Sequence, residues 1–201
     1  MKLYLATGNS HKIEELRAML AAAGLSIEVN GPTALGGMPT VEEDQETFSG
    51  NALKKARALA ALLPDGAFSL ADDSGLCVDA LDGAPGVYSA RFAGEDATDS
   101  DNTNKLLHML GALGHVDRSA AFQCHLAIVS KGGEERVFKG ECRGEIIREK
   151  AGEGGFGYDP VFVPSGFTKT FAELSQSEKG GMSHRGKAMA KLIRWLEAIS
   201  N

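Results

Sequence analysis

The chain has 201 residues, 43% hydrophobic and 24% charged, a composition typical of a folded globular protein and not of a disordered one. Its formal net charge of −6 argues against a nucleic-acid duplex as partner, because such binding depends on neutralising phosphates with Lys and Arg. The three cysteines show no metal-ligand spacing, so we expect reduced thiols and no zinc. No apolar stretch approaches the length of a membrane span or a signal peptide, and we therefore expect a cytoplasmic enzyme.

The first predicted unit is a strand, a polar turn and a helix. An apolar run at residues 3–6 leads into Thr7-Gly8-Asn9-Ser10-His11-Lys12, after which apolar residues recur at helical spacing until Gly24. Such a turn directs backbone N–H groups and the positive end of a helix at an anion, and Lys12 adds a charge. An ordinary turn between strand and helix is the alternative.

A second strand is predicted at residues 26–30, followed by a loop that contains the acidic run Glu42-Glu43-Asp44. Such a run usually marks a solvated loop. Residues 47–63 show the apolar spacing of a helix with one buried face. Lys54 and Lys55 lie on its other side and are predicted to be surface lysines.

The most informative stretch is a strand-like apolar run that ends at Asp72-Asp73-Ser74-Gly75. Neighbouring residues of a strand point to opposite faces, so the two aspartates are not expected to act as a pair. A carboxylate at a strand end suits Mg²⁺, which takes oxygen ligands and shares them with substrate phosphates. The alternative is a strand-to-turn junction, in which Asp, Ser and Gly are common.

The second half of the chain predicts a helix that begins after Thr98 and then two strands, at residues 119–130 and 134–147. The turn Lys131-Gly132-Gly133 joins these strands into a hairpin, which favours a mixed sheet over a purely parallel one. His125 alternates into this sheet and is interpreted as a core imidazole.

A glycine-rich segment, residues 152–157, matches the GxGxxG pattern of dinucleotide-binding proteins. That pattern requires a helix directly afterwards, whereas here Tyr158-Asp159-Pro160 leads into a strand, so we reject a dinucleotide site. The glycines would instead allow the loop to approach a flat ligand on which Phe156 could stack.

Ser183 is predicted to cap the last helix, which places His184 and Arg185 at its start. The helix dipole disfavours cations there, so their presence points to an anionic or oxygen-rich ligand. Solvated surface charges are the alternative.

Five segments in the same order resemble the inosine triphosphate pyrophosphatase family, which hydrolyses XTP, ITP and dITP. The segments are Thr7-Gly8-Asn9 with Lys12, Asn51-Ala52 with 54–56, 71–76 followed by 83–91, 154–160, and Ser183-His184-Arg185-Gly186. They span nearly the whole chain, and the third and fourth are long and specific. One departure is Gly50, because many relatives have Glu before this Asn-Ala pair.

The resemblance implies an α/β fold, with an elongated mixed sheet flanked by helices and one domain of two lobes around a nucleotide cleft. It also implies a homodimer and Mg²⁺ dependence, with a purine nucleoside triphosphate as substrate. The resemblance assigns phosphate binding to Thr7, Gly8, Asn9, Ser10, His11 and Lys12. It assigns metal binding to Glu43 and Asp73, and proton abstraction from water to Asp73. Substrate contacts fall to Ser74, Phe156, Gly157, Tyr158, Asp159, Lys179, His184 and Arg185.

The base expected from this resemblance carries a 6-oxo group. Arg185 and Lys179 can only donate hydrogen bonds, so near that position they would favour hypoxanthine and xanthine over adenine. Guanine also has this oxygen, and the sequence does not show how GTP would be rejected.

Two other functions compete with hydrolysis to pyrophosphate. A nucleotide-binding sensor would hold a triphosphate without cleaving it, and would not need an acidic metal and water site. A phosphatase releasing orthophosphate usually shows the DxDx[TV] pattern, which is absent at Asp72-Asp73-Ser74-Gly75.

Overall fold

The computed structural model describes residues 1–200, and the side chains of His11 and Ser200 lie outside the described part. The strands are β1 (Lys2–Leu5), β2 (Glu28–Asn30), β3 (Ala67–Val78), β4 (Ser119–Ser130), β5 (Glu135–Ile146) and β6 (Phe162–Pro164). The helices are α1 (Ser10–Ala22), α2 (Phe48–Ala60), α3 (Asp99–Ala112), α4 (Gln176–Met182) and α5 (His184–Ser200). Within residues 1–200, no helix is both long enough and apolar enough to cross a membrane.

The six strands form one sheet in the order β2-β1-β3-β4-β5-β6. β1 runs parallel to both β2 and β3, whereas β6 runs antiparallel to β5. Ser130 N donates to Glu134 O and Gly133 N to Ser130 O, which closes the turn between β4 and β5 at the predicted hairpin. The prediction of a mixed sheet flanked by helices is confirmed.

The chain divides into two compact units. Unit 1 comprises Met1–Asp73, His125–Lys139 and the stretch that begins at Ala188, and unit 2 comprises Ser74–Cys124 and Gly140–Lys187. The expectations of one domain and of a cleft between lobes stay predictions.

The core of unit 1 is built around the small-residue face of α2. Ala52, Ala56 and Leu59 are fully buried, and alanine side chains allow a helix to lie close to a sheet. Thr47 caps the helix by accepting a hydrogen bond from Gly50 N at 3.1 Å. The helix ends at Ala60, before the predicted residue 63. Leu62 N and Leu63 N donate to carbonyls three residues earlier, a tighter turn that precedes Pro64.

The core of unit 2 combines the apolar face of α3 with an aromatic group. Leu106 and Leu110 are fully buried and pack in one cluster with Phe122, Phe162 and Phe171. The predicted cap of α3 is confirmed, since Thr98 and Asp101 exchange hydrogen bonds in a capping box.

α4 was not expected from the sequence. It contains Gly180 and Gly181, and glycine is a poor helix former, so the helical signal of this segment is weak. A second capping box, between Ser175 and Glu178, begins the helix.

His125 is a core imidazole, as predicted. Its side chain is buried, its Nδ1 lies 2.8 Å from Ser49 Oγ, and its ring meets Phe48 edge-on at 5.5 Å. Burial, with Lys139 adding a smaller effect, lowers the pKa of His125 from 6.5 to about 4.

This lowered pKa predicts a loss of stability in acid. The unfolded imidazole takes up a proton near pH 6.5 and the folded one only near pH 4, so the stabilisation is present above 6.5 and lost as the pH falls. We expect the free energy of unfolding to fall by about 2 kcal/mol between pH 7 and roughly pH 4.5 from this group alone. Urea unfolding of wild type and His125→Asn at both pH values isolates the effect, and equal pH dependence in the two proteins would contradict it.

Candidate active site

Asp72 and Asp73 occupy consecutive positions of β3 and have different partners. Both carboxylate oxygens of Asp72 accept hydrogen bonds from Lys12 Nζ, at 3.0 Å each. Asp73 Oδ1 instead accepts from Lys55 Nζ at 3.1 Å. The expectation that alternation along the strand separates the two aspartates is therefore confirmed.

Lys55 joins two carboxylates, and its prediction as a surface lysine was wrong. Its Nζ lies 3.0 Å from Glu43 Oε1 as well as 3.1 Å from Asp73 Oδ1, and its side chain is only 14% exposed. The same contact identifies Glu43 as a glutamate of the acidic run that lies near Asp73, because both carboxylates pair with the Lys55 ammonium. We refer to Glu43, Asn51, Lys55 and Asp73 as the carboxylate cluster.

Asn51 completes the carboxylate cluster. Its side chain is fully buried, donating from Nδ2 to Asp73 Oδ2 at 3.3 Å and accepting from Gln45 N at 3.0 Å. This amide links the acidic loop to the middle of β3. The expectation that the strand ends at Asp72 and Asp73 was wrong, because β3 continues through Ser74 and Gly75 to Val78. A Cβ at position 50 would lie 2.8 Å from Gln45 Cβ, so Gly50 leaves room for Gln45.

The electrostatics of the carboxylate cluster favour a proton acceptor. Burial raises the pKa of Asp73 above its ordinary value, and the Lys55 ammonium offsets part of this rise. Burial alone would lower the pKa of Lys55, but Asp73 and Glu43 outweigh it and raise that pKa. A carboxylate whose pKa is moved toward neutrality is a better general base than an ordinary one.

The donor set of the carboxylate cluster fits Mg²⁺. Oxygens of Glu43 and Asp73 already converge on one cation, the Lys55 ammonium. Proteins commonly hold Mg²⁺ through one or two carboxylates while substrate phosphates and water supply the remaining oxygens. No group of three or more His, Cys, Asp or Glu side chains suited to a metal is found among the described residues.

The predicted phosphate loop precedes α1 in unit 1. Gly8, Asn9 and Ser10 are exposed, and Asn9 N donates to Thr7 Oγ1 at 3.2 Å. Lys12 lies in the first turn of the helix beside Asp72. The predicted contact of the His11 side chain lies outside the described residues.

Unit 2 contains a cavity of about 160 Å³, which we call the base cavity. Its lining is Ser74, Gly75, Ser89, Ala90, Asp99, Asn102, Phe122, Phe156, Gly157, Tyr158, Asp159, His184 and Arg185. Pockets for whole drug-sized ligands measure roughly 300–1,000 Å³, so this volume suits one flat part of a nucleotide. Seven of the eight predicted substrate contacts line it.

Lys179, the eighth predicted substrate contact, does not line the base cavity but is hydrogen-bonded to Asp159, which does. Its Nζ donates to Asp159 Oδ2 at 3.0 Å, and both side chains are largely buried. Phe156 N donates to the same oxygen at 3.3 Å. Burial raises the pKa of Asp159, and Lys179 opposes that rise. Asp159 therefore organises both the glycine-rich loop and a neighbouring cation.

The glycine-rich loop is not a dinucleotide motif, as predicted. It leads into a short 3₁₀ turn, Asp159–Val161, and then into β6. Gly155 has φ +76°, and any Cβ there would collide with Asp159, so this position requires glycine. Phe156, at 67% exposure, leaves an aromatic face open to a ligand.

Three polar groups of the base cavity differ in their hydrogen bonding. The Tyr158 hydroxyl donates to Ser89 O at 2.8 Å, so it holds the loop in place. Gly157 N donates at 2.7 Å to Asp99, an acid that sequence reasoning missed because it resembles an ordinary first-turn helix residue. Among the described residues, the buried Ser74 Oγ has no hydrogen-bond partner, which marks it as a candidate ligand contact.

Comparison with known proteins was made for the whole chain. A relative from Opitutus terrae, named dITP/XTP pyrophosphatase, is 49% identical over 199 residues, covering 97% of this chain and 98% of the relative. A relative of the same name from Desulforamulus reducens is 48% identical, covering 99% and 97%. A solved structure of a HAM1 protein from Coxiella burnetii superposes with a TM-score of 0.92 at 40% identity, covering 98% of this chain and 99% of that one.

The sequence model of the Ham1 family matches residues 3–195. The match confirms the resemblance drawn from the ordered motifs, since it spans all five of them. The chain belongs to the Ham1 family.

Proposed function

We propose that this protein hydrolyses non-standard purine nucleoside triphosphates, ITP, dITP and XTP, to the monophosphate and pyrophosphate. The observation that carries the proposal is the carboxylate cluster, in which Glu43 and Asp73 converge on one cation and Asp73 is a buried base. The names of the relatives, dITP/XTP pyrophosphatase, support both the bond and the class of base.

Hydrolysis of a phosphoanhydride depends mainly on positioning and on charge stabilisation. Glu43 and Asp73 would hold Mg²⁺, which when bound neutralises charge on the phosphate oxygens. Asp73 accepts the proton of the attacking water, and Asn51 holds the Asp73 carboxylate in position. Lys12 and the N–H groups at the start of α1 bind the phosphates.

The base is proposed to lie in the base cavity. Arg185 lines the cavity, and Lys179 retains two donor protons after its hydrogen bond to Asp159. Both residues favour the 6-oxo group of hypoxanthine and xanthine and disfavour the amino group of adenine. These donors do not distinguish guanine.

A panel of nucleoside triphosphates, with the products identified, tests bond and base together. We expect pyrophosphate from ITP, dITP and XTP in the presence of Mg²⁺, much less from ATP, and none with EDTA. Orthophosphate as the product would indicate a phosphatase, and tight binding without any product would indicate a sensor. Equal efficiency on ATP and ITP would contradict the roles given to Arg185 and Lys179.

The family resemblance also supports a homodimer, and the cytoplasmic location expected from the sequence stays a proposal. Sedimentation of the purified protein would test the first of these proposals, with a monomer at micromolar concentration as the contradicting result.

A further inference from the structure

His184, at the start of α5, lies flat against an aromatic side chain. Its imidazole stacks on the ring of Phe122 with centroids 4.8 Å apart and planes inclined by 12°. Phe122 also stacks with Phe171, whose ring centroid is 5.8 Å away and whose plane is inclined by 16°. Lys179 Nζ lies 5.6 Å from the centroid of the Phe171 ring. We call Phe171, Phe122 and His184 the aromatic column.

Phe122 is the rigid member of the aromatic column. It lies on β4 with only 7% of its surface exposed, and Phe162 meets it edge-on at 4.8 Å. An imidazole rotates over a broad range about its outer side-chain bond, so its plane is set by its neighbours. A parallel stacked ring at this distance restricts that rotation.

Phe122 and His184 both line the base cavity, whereas Phe162 and Phe171 do not. We propose that Phe122 is a positioning residue for base selection, because its stacking fixes the plane of the imidazole that His184 contributes to the base cavity. This inference rests on the proposed function and assigns part of its selectivity. Phe122 therefore acts through His184 and takes no part in breaking the phosphoanhydride bond.

The consequence for kinetics follows from the cost of ordering a side chain. Leucine at position 122 would fill much of the same apolar space but would offer no flat surface. His184 would then lose rotational freedom only when the substrate binds, a cost that weakens binding by up to about tenfold. We expect KM for ITP to rise by about this factor while kcat changes little, and the preference for ITP over ATP to fall.

The test is a double-mutant cycle with a core control. Phe122→Leu, His184→Ala and the double variant are compared for kcat and KM on ITP and ATP. If Phe122 acts through His184, adding Phe122→Leu to His184→Ala changes selectivity no further, and Phe122→Tyr retains wild-type KM. Leu110→Ala removes apolar volume from the same core at a residue that does not line the base cavity, so it should lower the melting temperature and leave KM unchanged.

Two results would overturn the inference. One is an equal rise in KM for Phe122→Leu and Leu110→Ala. The other is full multiplication of the Phe122→Leu and His184→Ala effects. Wild-type turnover of ITP separately decides the proposed function. If wild type binds ITP without hydrolysing it, the same cycle measured on the Kd of ITP in EDTA decides the inference. If wild type neither binds nor cleaves ITP, both the inference and the proposed function are overturned.

Discussion

Replacing Asp73 by Asn is expected to reduce kcat on ITP by about 10²- to 10⁴-fold. The variant keeps the shape of the side chain but removes the proposed proton acceptor, which is also one of the two carboxylates proposed to hold Mg²⁺. The fold should persist, because burial disfavours the charged form of Asp73 and the amide carries no charge. Pyrophosphate release under saturating ITP and Mg²⁺, with thermal unfolding measured in parallel, separates chemistry from stability.

Asp72→Asn is the matched control for this prediction. It changes the same residue type one position earlier on β3, where the carboxylate pairs with Lys12 and not with Lys55. We expect it to raise KM, because Asp72 positions Lys12, the lysine proposed to bind phosphate, and to lower kcat far less. If Asp73→Asn retains turnover within about tenfold of wild type, Asp73 is not the catalytic base.

Patterns of short range explain what could be predicted from the sequence. The separation of Asp72 and Asp73 follows from the two-residue period of a strand, and the hairpin follows from a two-glycine turn between apolar runs. The cap of α3 is likewise fixed by residues three positions apart. Each of these features depends only on near neighbours along the chain.

The carboxylate cluster could be predicted only in part, because its partners are distant in sequence. Lys55 lies 18 residues from Asp73 and 12 from Glu43, so its position opposite the apolar face of α2 indicated solvent. Asn51 is fully buried in a helix whose other buried residues are mostly apolar, and no local pattern marks it as a partner of Asp73. Only the family resemblance pointed to Glu43, and it left Glu42 and Glu43 undistinguished.

The base cavity shows the same limit. Phe122 alternates into β4 like any core residue, and nothing local indicates that it stacks on His184, 62 positions later. His184 and Arg185 were singled out because cations at the start of a helix are unfavourable. The sequence thus shows that two basic side chains occupy an unusual position at a helix start, but it does not show that Phe122 stacks on His184.

Replacing Lys55 by Met is expected to lower the free energy of unfolding by about 3 kcal/mol without Mg²⁺. The substitution leaves Asp73 and Glu43 facing one another without their shared cation, and Asp73 is only 9% exposed. Removal of one partner from a buried ion pair is costly because an uncompensated charge remains. Urea unfolding in EDTA measures the loss.

Lys54→Met provides the control, since Lys54 is the adjacent lysine of α2 and pairs with Asp44 in a far more exposed setting. Exposed pairs contribute little, so we expect no measurable change in the unfolding free energy of Lys54→Met.

Added Mg²⁺ should raise the melting temperature of Lys55→Met more than that of wild type or Lys54→Met. The reason is that the metal would replace the missing ammonium between the Glu43 and Asp73 carboxylates. Equal unfolding free energies for the two lysine variants would contradict the buried pairing. An equal Mg²⁺ response in all three proteins would mean that Glu43 and Asp73 do not hold the metal.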